Sequence, residues 1–156
     1  MNVRAAARHE AAEIVRVINA AFNPAEAFFV DGDRIDLEQV RQYFAKGAFL
    51  VADEMAGCVY VELRGERAYL GLLGVDPARQ KRGVGRALIA AAESYAREHS
   101  CRFMDIRIVN LRVELPAVYR KLGYVEAGTE EFTPGAPTKV PCHFIKMQKE
   151  LAGRQP

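Results

Sequence analysis

The chain has 156 residues, half of them hydrophobic and 27% charged, with a formal net charge of +2. That length fits a single domain over residues 1–156 whose core needs no disulfide staples. The small positive excess excludes the strongly basic face of a nucleic-acid binder, and no apolar run is long enough to cross a membrane.

Ala11, Ile14, Val15, Ile18 and Phe22 recur at helical spacing, which predicts a first helix over about Ala7 to Ala21, stopped by Asn23-Pro24. The segment through Phe28, Phe29, Val30 and Asp31-Gly32 has no period and reads as a loop exposing aromatic side chains. A second helix follows, with Asp36 as N-cap, Gln39 completing a capping box, and Gly47 as C-cap. Phe49–Ala52, Cys58–Leu63 and Arg67–Val75 then read as an antiparallel meander joined by short turns.

The next helix opens near Val84 and carries Val84, Leu88, Ala91 and Tyr95 on one stripe, with Glu93, Arg97 and Glu98 away from it. Phe103 to Val109 alternates like a strand, and Leu115 to Leu122 is a short helix with Pro116 in its first turn and Gly123 as C-cap. Tyr124–Gly128 and Cys142–Lys149 complete the strands, with the loop Thr133-Pro134-Gly135-Ala136-Pro137 between them. This order predicts a mixed α/β (α+β) fold. A mostly antiparallel, twisted sheet of about six to seven strands holds a parallel central pair, flanked by about four helices.

The stretch Val75-Asp76-Pro77-Ala78-Arg79-Gln80-Lys81-Arg82-Gly83-Val84-Gly85-Arg86 carries the chemistry. Two glycines let backbone approach a ligand, and the following helix offers unpaired N–H groups at its positive dipole end. Arg79, Lys81, Arg82 and Arg86 at that end oppose the dipole unless an anion sits there, so a phosphate or pyrophosphate partner is predicted. The string lacks both G-x-G-x-x-G and G-K-[ST], which excludes the common dinucleotide and P-loop sites. Cys58, Cys101 and Cys142 are too far apart for a disulfide framework or a zinc site, and no metal is expected. The N-terminal residues lack a signal peptide's apolar core, so a reducing cytoplasm is the expected location.

Gln80-x-x-Gly83-x-Gly85 after Val-Asp-Pro resembles the acyl-CoA loop of the GNAT superfamily of N-acetyltransferases. Glu114-Leu115-Pro116-Ala117-Val118-Tyr119-Arg120-Lys121-Leu122-Gly123-Tyr124 resembles the second signature of that family, and the element order matches over nearly the whole chain. The resemblance implies a GNAT-like fold and acetyl-CoA as co-substrate, its pyrophosphate on backbone N–H groups of Gln80, Lys81, Arg82, Gly83, Val84, Gly85 and Arg86. It implies that the pantetheine arm adds like a strand to Leu73, Gly74 and Val75, where Gly71 and Gly74 mark a bulge or close approach. It further implies that a neutral primary amine attacks the thioester directly and that a backbone N–H near Leu73 to Val75 holds the oxyanion. Tyr119 then protonates the departing thiolate as general acid, its ordinary pKa being about 10.

The general base is open between Glu62, in the second strand of the meander, and Glu114, before the tyrosine helix. Asn110 lies nine residues before Tyr119 where many family members have an asparagine seven before, so its contact with the cofactor is also open. Arg34 pairs either an acidic acceptor group or its neighbours Asp31 and Asp33. Phe22, Phe28 and Phe29 cover the core or wall the acceptor cleft, and His9, His99 and His143 are read as structural. The expected function is acetyl transfer to an amine-bearing acceptor, by a monomer or a homodimer pairing through its final strand. The competing expectation is a non-catalytic acyl-CoA-binding module of the same fold.

Overall fold

Alternating apolar residues build the centre of the protein, which a computed structural model describes over residues 1–132 and 138–151. Phe49, Val51, Cys58 and Tyr60 point to one face of a sheet, and Leu50, Ala52, Val59 and Val61 to the other. The strands are β1 (Val3–Ala5), β2 (Ala48–Ala52), β3 (Gly57–Arg64), β4 (Arg67–Val75), β5 (Phe103–Val109), β6 (Val125–Glu131) and β7 (His143–Glu150). They form one sheet in the order β1-β2-β3-β4-β5-β7-β6, antiparallel throughout except for the parallel pair β4–β5. Helices α1 (Ala11–Glu26) and α2 (Leu37–Lys46) cover the first face; α3 (Val84–Glu98) and α4 (Leu115–Lys121) cover the second.

One irregularity positions everything that follows. Cys58 pairs with Gly74 and Tyr60 with Gly71, so β4 spends one more residue than β3 between these partners. Leu72, in that interval, has φ of 52°, a left-handed conformation uncommon for a side chain of its size. The consequence is a switch of faces. Ala68 and Leu70 pack with α3, whereas Leu72 packs with α1 and α2, and Leu73 and Val75 return to the α3 side. Gly74 lets α1 press against the strand, since a Cβ there would lie 3.3 Å from that of Ala21. Pairing between β4 and β5 runs only from Arg67–Phe103 to Tyr69–Asp105. Beyond Tyr69 the two parallel strands part.

The capping box of α2 forms as the sequence predicts: the Gln39 backbone N–H donates to Asp36 Oδ1 at 2.8 Å, and the Asp36 backbone N–H donates to Gln39 Oε1 at 2.9 Å. Elsewhere the structure corrects the expectation. Pro24 does not stop α1, which continues to Glu26. Proline removes a single N–H near the helix end, and the last turn is held from outside. Asn23 donates to Asp33 at 2.9 Å and accepts from the Arg34 N–H at 3.1 Å. Phe29 is fully buried rather than exposed, while Phe28 does face solvent. The three-residue β1 escapes a periodicity argument but pairs with β2 through Val3–Ala52 and Ala5–Leu50. The final strand is interior, between β5 and β6, so it offers no edge for a dimer. The predicted loop over residues 133–137 lies outside the described residues.

Glu93 is the sharpest departure. It was expected on the solvent side of α3, and it is buried. It accepts from the Tyr124 hydroxyl at 2.9 Å and from Lys149 Nζ at 3.0 and 3.2 Å, which ties α3 to β7 and to the residue before β6. Replacing Tyr124 by Phe should lower the unfolding free energy by about 1.5–3 kcal/mol in urea titrations, the usual worth of a hydrogen bond to a charged group. A loss below about 0.5 kcal/mol would mean that Lys149 alone satisfies Glu93.

Candidate active site

The parting of β4 from β5 opens two grooves that meet on the free edge of β4. One, of about 650 Å³, lies between β4, the start of α3 and α4; the other, of about 600 Å³, lies between α1, α2 and the open ends of β4 and β5. Phe22, Leu73 and Arg112 line both.

The first groove is built by the glycine stretch. Asp76 caps a short 3-10 turn by accepting from the Ala78 N–H at 3.0 Å, and Gln80 Nε2 donates to the Val75 carbonyl at 3.3 Å. Left-handed residues at Lys81 (φ 68°) and Gly83 (φ 81°) then turn the chain into α3. Gly83 sits at the N-cap and has no side-chain oxygen to offer, and the first turn of α3 holds no acidic residue. The N–H groups at that helix start have no side-chain cap, as an anion site requires. Leu73, Gly74, Val75, Gln80, Lys81, Gly83, Val84 and Gly85 all line this groove. Arg82 and Arg86 are exposed outside its lining, and Arg79 turns away to the Glu54 carbonyl at 2.9 Å.

The second groove holds Tyr119. Its ring is buried edge-to-face against Tyr124, with centroids 5.6 Å apart. Its hydroxyl has no hydrogen-bond partner among the described residues, yet every fully buried polar side-chain atom among them has one. The hydroxyl therefore reaches open space. Burial, with the nearby Tyr69 adding to it, pushes the phenol up to about 12, which keeps it protonated at neutral pH.

Neither carboxylate singled out as base lines this groove. Glu62 accepts from the Tyr60 hydroxyl at 2.6 Å and from Arg64 at 2.8 Å. Burial pushes Glu62 up, but these bonds outweigh it and hold the group below its ordinary value. Desolvation raises the exposed Glu114, but its own backbone N–H and Arg112, bonded at 3.0 Å, together outweigh it and lower the group. Asn110 accepts from the His143 N–H at 2.9 Å, joining the end of β5 to β7.

Besides the exposed Asp31 and Asp33, the groove presents a buried carboxylate, Glu26, at the end of α1. It is 9% exposed and pairs with Arg112 at 3.3 Å. Burial raises it above the ordinary carboxylate range against the opposing charges of Arg34 and Arg112. Nothing in the local sequence marks it. Only the continuation of α1 past Pro24 carries Glu26 to the groove, and that depends on contacts made with residues ten positions on. Over this groove Val30 bridges to Thr138, the Lys139 N–H donates to the Phe29 carbonyl at 2.8 Å, and Lys139 Nζ reaches the Ala27 carbonyl at 2.9 Å. This strap joins the two walls across the mouth.

Residues 45–126 match the model of the acetyltransferase (GNAT) domain, and the chain belongs to that family. It is 31% identical over 148 residues to the mycothiol acetyltransferase of Mycolicibacterium gilvum (strain PYR-GCK), covering 85% of this chain and 48% of that protein. The chain thus spans about half the length of that curated relative. Among solved structures it is similar to a ribosomal-protein-alanine N-acetyltransferase from Brucella melitensis, with TM-score 0.74 and 21% identity over 96% of this chain and 99% of the other. It is also similar to yncA from Salmonella typhimurium, solved with its cofactor acetyl-CoA, with TM-score 0.74 and 20% identity over 100% and 96% of the two chains. These structural likenesses establish the fold. Among the described residues no group of His, Cys, Asp or Glu is placed to hold a metal ion, and no helix is long and apolar enough to cross a membrane.

A Cβ added at Gly85 would meet only Val75 Cγ2, at 3.6 Å. Gly85→Ala should therefore keep or slightly raise the urea midpoint while weakening coenzyme A binding at least about tenfold by calorimetry, since alanine suits a helix and the methyl fills the groove. Unchanged affinity would place the ligand elsewhere.

Proposed function

We propose that the protein is an acetyl-CoA-dependent N-acetyltransferase that acetylates a primary amine by direct attack on the thioester. The observation that carries this reading is the unpartnered Tyr119 hydroxyl in the groove that joins the first at Phe22, Leu73 and Arg112. The first groove fits the donor in two respects: a helix start without a side-chain cap suits its pyrophosphate, and β4 beyond Tyr69 has a free edge for its amide-bearing arm. Acetyl-CoA supplies an activated acyl group.

In this reading the residues of the chain do the rest. The backbone from Gln80 to Arg86 holds the phosphates, and the backbone of Leu73 to Val75 aligns the arm and offers an N–H to the developing oxyanion. Arg82 and Arg86 act on the phosphates only as nearby positive charge, since they lie outside the groove lining. Glu26 replaces Glu62 and Glu114 as the group that takes the proton of the amine. Its pairing with Arg112 keeps it ionised, and its burial makes it more basic than a free carboxylate. Tyr119 returns a proton to the thiolate. A reducing, intracellular setting is part of the same reading, as is a single domain over residues 1–156.

The test is release of coenzyme A thiol from acetyl-CoA over a broad panel of amines. Tyr119→Phe should lose about 10²- to 10⁴-fold in turnover while binding acetyl-CoA within a few-fold of the wild type. Wild-type thiol release from none of the amines, with tight acetyl-CoA binding, would favour the non-catalytic binding module instead. Binding of ATP or NAD tighter than acetyl-CoA would overturn the donor assignment. On the same panel Glu26→Gln should lower kcat/KM by about 10²-fold or more and remove the part of its rise with pH that follows ionisation of Glu26; an unchanged pH profile would remove Glu26 from proton transfer.

A further inference from the structure

The charges of the second groove pair off almost completely. Glu26 is taken by Arg112 at 3.3 Å, Asp31 by Lys139 at 3.5 Å, and Arg107 by Glu130 at 2.9 Å. Asp33, exposed at the rim, accepts from the Asn23 amide. Arg34 remains. It is half-buried, and its guanidinium forms no ion pair and no hydrogen bond with any of the described residues. Residues 133–137, outside that set, carry no carboxylate. The sequence left Arg34 between an acceptor anion and its neighbours Asp31 and Asp33, and both neighbours bond elsewhere.

The guanidinium is held in place without a direct ion pair among the described residues. Its Cζ lies 5.5 Å from the centroid of the Phe22 ring, and the Arg34 N–H donates to Asn23 Oδ1 at 3.1 Å. Phe22 also lines the junction of the two grooves, so Arg34 stands one aromatic ring from the point where an amine would meet the thioester. Glu26 is close enough to feel its charge. A guanidinium fork and a carboxylate side by side match a molecule that carries an oxyanion close to its amine.

We propose that Arg34 is the acceptor-binding residue that selects a compact amine bearing an oxyanion, of the α-amino acid or aminophosphonate type. This rests on the acetyl-transfer reading above. The oxyanion sits on Arg34, and the amine projects past Phe22 towards Glu26 and Tyr119. Neutral or polycationic amines lack the group that Arg34 needs.

The experiment compares kcat/KM for a set of α-amino acids, their carboxamides, the amines lacking the acid group, and the matching aminophosphonates. The wild type should prefer the acids over the carboxamides by at least about tenfold, the scale of one charge-assisted hydrogen bond. The phosphonate arm decides which oxyanion is preferred. Arg34→Gln should bring the acid-to-amide ratio close to one, and Arg34→Lys should restore part of it. A ratio near one in the wild type, or a ratio unaltered by Arg34→Gln, overturns the proposal. A binding arm keeps it separate from catalysis: thermal shifts of the coenzyme A complex by the same acids and amides, in wild type and Arg34→Gln. Arg34-dependent binding of acids without turnover would sink the transferase reading and leave the oxyanion site standing. Thiol release from amides and acids alike would do the reverse.

Discussion

Everything functional in this chain depends on two parallel strands that fail to stay paired. β4 and β5 share three residue pairs and then separate. The backbone of β4 past that point must find hydrogen-bond partners outside the sheet, because a strand edge left in a protein interior carries an energetic cost. The left-handed Leu72 within the bulge is what makes the separation compatible with a packed core. By switching faces it allows one strand to support α1 and α3 at once while turning its free edge into an open space. Strain at one residue is exchanged for two grooves that meet.

The helices then determine what each groove is like. α3 contributes its uncapped start to one, an environment for phosphate charge. α1 contributes the opposite kind of element, a last turn carrying a buried carboxylate, to the other. The side chain of Arg112 joins them, lining both grooves while it pairs with Glu26. A neutralised pair at that junction has low net charge, which suits the meeting of neutral amine and neutral thioester in the proposed function. Arg34 stands a short way off, felt by Glu26 but without a direct ion pair among the described residues.

Much of this was legible in the residues. Gly83 and Gly85 are informative because glycine changes backbone geometry locally, and Asp36 with Gln39 because a capping box is complete within four residues. The meander and β5 followed from period-two alternation. The illegible parts all depend on distant partners. Pro24 looked like a stop because the bonds from Asn23 to the loop beyond it are invisible in a window. Glu93 looked solvent-exposed because its partners Tyr124 and Lys149 lie 31 and 56 residues away. Glu26 as a groove residue needed the correct end of α1, and Arg34 needed to be seen without partners. Local chemistry can be read off a sequence, whereas the pairing of charges is a property of the folded whole.

The strap across the second groove has an evolutionary consequence. Its links at Val30–Thr138 and Phe29–Lys139 are made by main chain, which any residue supplies. The segment that carries Asp31, Asp33 and Arg34 contributes little to either core, although Phe29 and Ile35 at its ends are anchored deeply. Asp33 holds Asn23 and Asp31 pairs with Lys139, whereas Arg34 makes no direct side-chain bond among the described residues, so its exchange leaves the outline of the mouth and the sheet beneath intact. With the acceptor placed in this groove, as proposed, such a construction separates inheritance of the donor site from innovation at the acceptor site. On that reading a lineage that changed only Arg34 would acquire a new acceptor while keeping the old grip on coenzyme A.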